Sequence, residues 1–180
     1  MCSQLNDEQK HLLDYIMTFV MKSKTASKND LAEPDPFYVH LTGGAGVGKS
    51  FLTNAFTEYV KRKLKYHGQG LDQPSILVTG STGKAAAQVS GITLHSAFNL
   101  QIKRKQGYVP FRPPTKANLQ AFWNRYQYLK ILVVDEISMV DYYTFNEYLN
   151  STLKLIKNNS LPFGGVSIIA AGDFLQLPPV

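Results

Sequence analysis

Short runs of consecutive apolar residues alternate along the chain with longer segments in which apolar residues recur at every third or fourth position. The short runs are residues 37–42, 75–79, 131–134 and 166–171. Nearly continuous apolar runs are typical of strands buried on both faces of a parallel sheet. Because strands that alternate with helices form βαβ units, the pattern predicts an α/β fold, a three-layer α/β/α sandwich with a mainly parallel sheet.

The segments with helical periodicity predict four main helices. Asn6 and Gln9 have the spacing of a capping box, and the first helix then carries an apolar stripe of Leu12, Leu13, Ile16, Met17 and Val20. The second helix follows residue 50, and two more cover residues 118–128 and 142–157, with aromatic stripes that we interpret as core. Residues 23–36 and 99–116 lack this periodicity and are predicted to be loops.

A glycine-rich loop lies between the first predicted strand and the second predicted helix. Its residues are Gly43, Gly44, Ala45, Gly46, Val47, Gly48, Lys49 and Ser50, which complete the pattern G-x-x-x-x-G-K-[ST]. Glycines let such a loop turn tightly and present backbone N–H groups to phosphates, which Cβ atoms would obstruct. With Lys49 placed to meet the outer phosphates and Ser50 to hold Mg²⁺, the loop predicts a nucleoside triphosphate site.

Polar residues also follow the third and fourth predicted strands, at the edge where parallel sheets bind ligands. Asp135 is placed to hold Mg²⁺ or its waters, and Glu136 to polarise the water that attacks the γ-phosphate. The alternative is that these acids only cap the next helix. Gln176 could hydrogen-bond the γ-phosphate or the attacking water, the alternative being an ordinary turn ahead of two prolines.

The composition indicates one folded intracellular domain. The chain has 180 residues, of which 44% are hydrophobic, enough for a single domain with a core. No apolar run approaches a membrane span and the first residues do not resemble a signal peptide, so we expect no membrane partner. Cys2 is the only cysteine, which excludes intramolecular disulfides and favours a reducing compartment.

The net charge of +6 is unevenly distributed. No acidic residue lies between Asp72 and Asp135, whereas this interval contains Lys84, Lys103, Arg104, Lys105, Arg112, Lys116, Arg125 and Lys130. Such a distribution indicates a surface for a polyanion. Residues 103–114 interleave Lys103, Arg104, Lys105 and Arg112 with Tyr and Phe, so they could grip a nucleic-acid backbone and stack on a base. The alternative is a solvated surface insertion.

Seven motifs resemble, in order, those of the Pif family of DNA helicases, a superfamily 1 family related to the RecD-type enzymes. They are residues 5–9, 43–50, 79–86, 91–96, 134–140, 162–165 and 172–180. The most specific are the Ser-Thr-Gly and Thr-Leu-His-Ser elements within the third and fourth motifs, and the Gly-Asp-Phe and Gln-Leu-Pro-Pro elements of the last. The resemblance extends from Leu5 to Val180.

The resemblance implies that residues 1–180 form a single RecA-like P-loop NTPase domain. It would be the first motor domain of a helicase that uses ATP and Mg²⁺ to move 5′ to 3′ along single-stranded DNA. Carried over by motif, Gln9 would read the adenine edge. Lys49 would meet the phosphates, Ser50 and Asp135 the metal, Glu136 the catalytic water, and Gln176 would sense the γ-phosphate.

The family's DNA-contacting motif corresponds to Ser81, Thr82, Gly83, Lys84, Thr93 and His95. Hydroxyls and glycine amides are good phosphate donors, which supports this assignment independently. For His95, a buried histidine that fixes the turn is the alternative. The family also implies duplex junctions as DNA partners, a monomer, a nuclear or alternatively mitochondrial address, and roles in DNA repair, recombination and telomere maintenance.

Two departures from the family pattern change the expectation for this chain. The loops at residues 23–36 and 99–116 look longer than a minimal motor domain needs, so DNA contacts of the basic loop are not inherited from the resemblance. The resemblance leads us to expect that the second RecA-like domain, which would supply an arginine finger, lies outside these 180 residues, and that this chain alone binds nucleotide without unwinding DNA. A DNA-stimulated ATPase switch or loader is the competing hypothesis. Intact Lys49, Ser50, Asp135, Glu136 and Gln176 count against a noncatalytic module.

Overall fold

The computed structural model describes residues 5–44, 46–100 and 110–175. In these residues five strands form one sheet with the order β1-β5-β4-β2-β3, and every neighbouring pair is parallel. The strands are β1 (Tyr38–Leu41), β2 (Ile76–Gly80), β3 (Ile92–Thr93), β4 (Ile131–Asp135) and β5 (Ser167–Ala171). The predicted parallel sheet is therefore confirmed, and the ends of its four predicted strands differ from the observed ends by at most one residue, whereas the two-residue strand β3 was not predicted.

Helices connect the strands. They are α1 (Asp7–Asn29), α2 (Lys49–Lys63), α3 (Gly83–Gln88), α4 (Leu94–Phe98), α5 (Lys116–Tyr126), a π-helix (Tyr143–Leu149), α6 (Asn150–Lys157), and 3₁₀ helices at Ile137–Met139 and Pro162–Gly165. The predicted capping box begins α1, where the Asn6 carboxamide oxygen accepts from the Gln9 amide at 2.8 Å and the Asn6 amide donates to Gln9 Oε1 at 3.1 Å.

The hydrophobic core lies in two layers, one on each face of the sheet. Side chains of β4 alternate between the two, since Ile131 and Val133 belong to the layer under α1 and α2. Leu132 and Val134 belong to the layer under α4, α5, the π-helix and α6. A central strand buried on both faces accounts for its unbroken apolar sequence and confirms the three-layer sandwich.

Three details of the prediction are wrong. Helix α1 continues through the segment predicted as the start of a loop, because Ser23 and Ala26 are small enough to be buried in step with Phe19 and Val20. Strand β1 is not buried on both faces, since Tyr38 and His40 are exposed and it pairs only with β5 in the described sheet. The predicted loop at 99–116 also runs one residue too far, because Lys116 begins α5.

The described residues contain no helix that is both long and apolar enough to cross a bilayer.

Lys157 gives the fold a measurable pH dependence. Its Nζ donates to the backbone oxygens of Tyr126, Gln127 and Leu129 at 3.4, 2.7 and 3.2 Å, where α5 ends. Burial lowers the pKa of this ammonium to about 8, with a further decrease from the nearby charge of Lys130 and an opposing effect of Glu33.

We therefore predict that Lys157 makes the free energy of unfolding rise with pH above pH 8. Between this pKa and the ordinary lysine pKa of about 10.4, the unfolded chain holds a proton that the folded chain has released, so the free energy of unfolding increases with pH. Chemical denaturation of wild type and Lys157→Met at pH 7 to 10 measures the effect. The free energy of unfolding of wild type, relative to that of Lys157→Met, should increase above pH 8 by at most about 3 kcal/mol. A difference that stays constant over this range would contradict the prediction.

Candidate functional site

All five strands point their carboxyl ends to the same edge of the described sheet, which is where ligands bind in parallel α/β folds. The glycine-rich loop follows β1, and Asp135 ends β4. Of the residues predicted to contact DNA, Ser81, Thr82, Gly83 and Lys84 come directly after β2, Thr93 ends β3, and His95 follows it. The fold therefore brings most of the predicted site residues to one edge, with the nucleotide candidates at its β1 side and the DNA candidates at its β3 side.

The glycine-rich loop leads directly into α2, as the phosphate-loop motif requires. Gly48 precedes the first helical residue with φ 89° and ψ 15°, a left-handed conformation that glycine adopts without steric cost. The Lys49 ammonium donates to the backbone oxygens of Gly43 and Gly44, the latter at 2.8 Å. Ser50 is exposed at the start of the helix. Ala45 lies outside the described residues.

Gln9 supports the loop in a way that sequence reasoning did not identify. Its Nε2 donates to the backbone oxygen of Val47 at 3.1 Å, while its Oε1 completes the capping box of α1. A cavity of about 310 Å³ opens between the start of α1 and the loop, lined by Gln9, Leu12, Lys49 and neighbouring residues. Phe51 is exposed beside a second opening that Gln9 and Val47 share. The amide of Gln9 thus lies at the wall of a cavity of ligand size.

The two acids after β4 have different environments. Asp135 is only 7% exposed, and burial raises the pKa of its carboxyl group. The Glu136 backbone N–H, donating to this carboxylate, and the charge of Lys49 oppose that rise, whereas the charge of Glu136 adds to it. Asp135 therefore lies within electrostatic reach of the phosphate-loop lysine. Glu136 is half-buried.

Glu136 has a strained backbone. Its φ of 54° and ψ of 47° are left-handed, which is uncommon for a residue with a Cβ atom and costs on the order of 1–3 kcal/mol. Glu136 occupies the N-cap position of the 3₁₀ helix that follows, but its side chain makes no capping hydrogen bond to that helix. Strain of this kind clusters at active sites, where the surrounding structure holds it in place.

Gly172 connects three segments of the site. Its amide donates to the Leu41 backbone oxygen at 3.1 Å, which ties the end of β5 to the strand before the phosphate loop. A Cβ atom here would lie 2.9 Å from the Ile137 amide nitrogen, so only glycine lets β5 approach the turn after Glu136. Asp173 then turns the chain by accepting from the Leu175 amide at 3.0 Å. Gln176 lies outside the described residues.

Two of the predicted DNA contacts also have structural roles. Thr82 caps α3 by accepting from the Ala85 amide at 3.2 Å. Thr93 caps α4 by accepting from the Ser96 amide at 3.1 Å, and it donates to the Ser96 hydroxyl at 2.7 Å. The Ser81 hydroxyl is buried and has no hydrogen-bond partner within the described part of the chain. A direct phosphate contact is therefore best offered by the exposed Gly83 and Lys84.

His95 and Arg112 occupy different environments on the same side of the sheet. Burial lowers the pKa of the half-buried His95, and the negative charge of Asp141 partly offsets this. Arg112 is exposed at the rim of a cavity of about 290 Å³. The adjacent Phe111 packs on Tyr148 with ring centroids 6.0 Å apart, so this ring is engaged with the core. Lys103, Arg104 and Lys105 lie outside the described residues.

Comparison with known proteins confirms the resemblance to the Pif family. The sequence model of the PIF1-like helicase family matches residues 4–180. An ATP-dependent DNA helicase PIF1 from Emericella nidulans is 38% identical over 142 residues, which cover 79% of this chain and 18% of that protein. The chain thus spans about a fifth of that relative's length.

Solved structures show the same fold. The crystal structure of Pif1 helicase from Candida albicans is similar with a TM-score of 0.66 and 31% identity, over 98% of this chain and 34% of that one. The structure of Pif1 helicase from Bacteroides in complex with ADP-AlF3 and ssDNA matches with a TM-score of 0.66 and 25% identity, over 98% and 34% of the two chains.

Proposed function

This chain belongs to the PIF1-like helicase family, and from that premise we propose that it is the ATP-binding motor domain of an ATP-dependent DNA helicase. The observation that carries the proposal is a complete phosphate loop beside a buried aspartate and a strained glutamate at one edge of a parallel sheet. ATP hydrolysis would drive 5′ to 3′ movement along single-stranded DNA in the full-length enzyme.

The nucleotide would bind with its phosphates in the loop and its base towards the start of α1. Lys49 would exchange the carbonyl oxygens of Gly43 and Gly44 for phosphate oxygens, which carry full negative charge and form stronger hydrogen bonds. The cavity beside Gln9 supports the proposed reading of the adenine edge. Gln9 would then trade its hydrogen bond to Val47 for one to the base, so base binding and loop position would be coupled.

The donor set fits Mg²⁺, which prefers oxygen ligands and usually takes only one or two from the protein when phosphates are present. The Ser50 hydroxyl and the Asp135 carboxylate would supply them, and the bound ion would neutralise phosphate charge. Glu136 would orient the attacking water and accept its proton, while Gln176 would report the presence of the γ-phosphate. Close contact between Gly172 and the turn after Glu136 would couple that sensor segment to the catalytic glutamate.

DNA would cross the β2 and β3 side of the same edge. Gly83 and Lys84 would meet the phosphate backbone, with Thr82, Thr93 and His95 close by and the basic loop at residues 103–114 continuing the track. Duplex junctions, a monomeric state, a nuclear or mitochondrial address, and roles in repair, recombination and telomere maintenance belong to the same proposal. A second RecA-like domain in the parental protein would supply the arginine finger.

Unwinding separates this function from its alternative, a DNA-stimulated ATPase switch or loader. The experiment is a strand-separation assay on a forked duplex, run with the full-length parental protein and Mg·ATP, alongside DNA-stimulated phosphate release. Helicase function predicts both activities. Hydrolysis that DNA stimulates without strand separation would establish the switch or loader instead, and absence of ATP binding would refute both.

The basic loop can be tested on its own through salt. If Lys103, Arg104, Lys105 and Arg112 each contact a phosphate, replacing all four by alanine should flatten the slope of log affinity against log salt by up to about three units, since single strands give about −0.7 per contact. Fluorescence anisotropy with labelled single-stranded DNA measures the slope.

A matched control removes the same charge from the opposite edge of the sheet. Lys61, Arg62, Lys63 and Lys65 are exposed at and just beyond the end of α2, far from its phosphate-binding start. Their alanine variant should keep the wild-type slope. A wild-type slope in the loop variant would identify the loop as a solvated insertion.

A further inference from the structure

Two neighbouring tyrosines lie exposed just beyond the carboxyl end of the central strand β4. Tyr142 is 66% exposed and Tyr143 is 39% exposed, and their rings meet edge to face with centroids 5.6 Å apart. The exposed Tyr15 and Tyr38 pack instead against Phe37 and Phe163, and Tyr126 and Tyr148 are buried in the core. Two adjacent, partly exposed rings at the ligand-binding edge indicate a binding surface.

The rings stand on a support that limits their movement. Asp141 accepts from the Tyr143 amide at 2.9 Å, and from the Thr144 amide and hydroxyl at 3.1 and 2.7 Å. The Tyr142 hydroxyl accepts from Asn146 Nδ2 at 2.8 Å. The segment continues as a π-helix, an uncommon form that is frequent at functional sites. Rings held in this way lose little conformational entropy when they bind a flat partner.

The position of the pair identifies its partner. Strand β4 lies next to β2 in the sheet, and the end of β2 leads to Gly83 and Lys84. The π-helix packs in the same core layer as α4, the helix that carries His95. Asp141 raises the pKa of His95 through its charge, so the start of the tyrosine segment lies within electrostatic reach of α4, which follows β3. The pair thus lies next to the residues proposed to hold the phosphate backbone. The described residues from 73 to 134 contain no acid, so the segments after β2 and β3 suit a polyanion, and Asp141 is the acid that lies nearest to the tyrosines.

We propose that Tyr142 and Tyr143 form a stacking platform for bases of single-stranded DNA that crosses the carboxyl edge of the sheet. The inference rests on the proposed function and extends it from backbone contacts to base contacts. Stacking would be indifferent to sequence, because every base offers a flat face, and it would favour single strands, whose bases are accessible.

The test compares two DNAs that differ only in their bases. Fluorescence anisotropy measures the affinity of the chain for labelled oligo(dT) and for an abasic oligonucleotide of the same length and charge, at one salt concentration. Wild type should prefer oligo(dT). The Tyr142→Ala/Tyr143→Ala variant should lose about 5- to 150-fold in oligo(dT) affinity for each base released, and bind the abasic strand as wild type does.

Three controls make the result specific. Tyr142→Phe/Tyr143→Phe keeps both rings and should keep the preference for oligo(dT). Trp123→Ala removes a ring that is 47% exposed on α5 and should change neither affinity. The end of α5 lies near the start of β2, because the Gln73 side chain donates to the Asn124 backbone oxygen. Unchanged Mg·ATP binding verifies that the alanine variant is folded, and Tyr142→Ala alone replaces it if the double variant is not.

The outcomes separate the two proposals. A wild type that binds neither oligonucleotide would overturn the DNA part of the proposed function. Equal wild-type affinity for both oligonucleotides, or an alanine variant that keeps the preference for oligo(dT), would overturn the stacking platform and leave backbone binding intact.

Discussion

Glu136→Gln is expected to abolish most ATP turnover while Mg·ATP affinity stays within a few-fold of wild type. The carboxylate is proposed to act on the attacking water, and loss of a general base typically lowers the rate by about 10²- to 10⁴-fold. Glutamine keeps the length of the side chain, so the left-handed backbone and the contact between Gly172 and the following turn should be preserved. Phosphate release and calorimetric titration, both on the full-length protein, measure the two quantities.

Glu58→Gln is the matched control for this prediction. Glu58 is exposed on α2 and pairs only loosely with Lys61 and Arg62, at 3.4 and 4.0 Å, so the same chemical change there should leave turnover unaltered. If Glu136→Gln instead lost ATP binding while turnover per bound nucleotide stayed normal, Glu136 would be a structural residue.

Lys49→Ala is expected to weaken Mg·ATP binding by roughly 10- to 150-fold, the equivalent of one hydrogen bond to a charged group. The ammonium already lies within the loop, held by two of its carbonyl oxygens, and is therefore positioned for the phosphates. Calorimetric titration of the 180-residue chain in the absence of DNA measures the effect.

The control for Lys49 is Lys84→Ala. Lys84 is an exposed lysine on α3 at the same edge of the sheet, but on its DNA side. Its loss should leave ATP affinity unchanged and reduce affinity for single-stranded DNA. Equal ATP affinity of wild type and Lys49→Ala, in variants with unchanged thermal unfolding, would refute the assignment of Lys49.

Much of the fold could be predicted because its signals are local. A strand buried on two faces must be apolar at every position, as Ile131–Asp135 is up to its last residue, and a helix cap needs its partners only three residues apart. The prediction was wrong for residues 23–29 because polar composition does not reveal which small side chains are buried. The roles of Gln9, Lys49, Ser50, Asp135, Glu136 and Gln176 stay predictions until the variants are measured.

The candidate site likewise has features that the sequence could predict and one that it could not. Sequence motifs predicted the phosphate loop and the acid pair and identified the family, since each depends on residue types at fixed spacing. They could not reveal that Gln9 holds the loop through Val47, because that hydrogen bond joins residues 38 positions apart.

The sequence by itself therefore determined the type of fold, the nucleotide class and the kind of polymer that this protein is proposed to bind, because periodicity, glycine spacing and charge are properties of neighbouring residues. Only the tertiary structure decided the left-handed backbone of Glu136, the contact that restricts position 172 to glycine, and the exposure of Tyr142 and Tyr143. Each of these depends on where distant strands end relative to one another, and that is set by packing on both faces of the sheet.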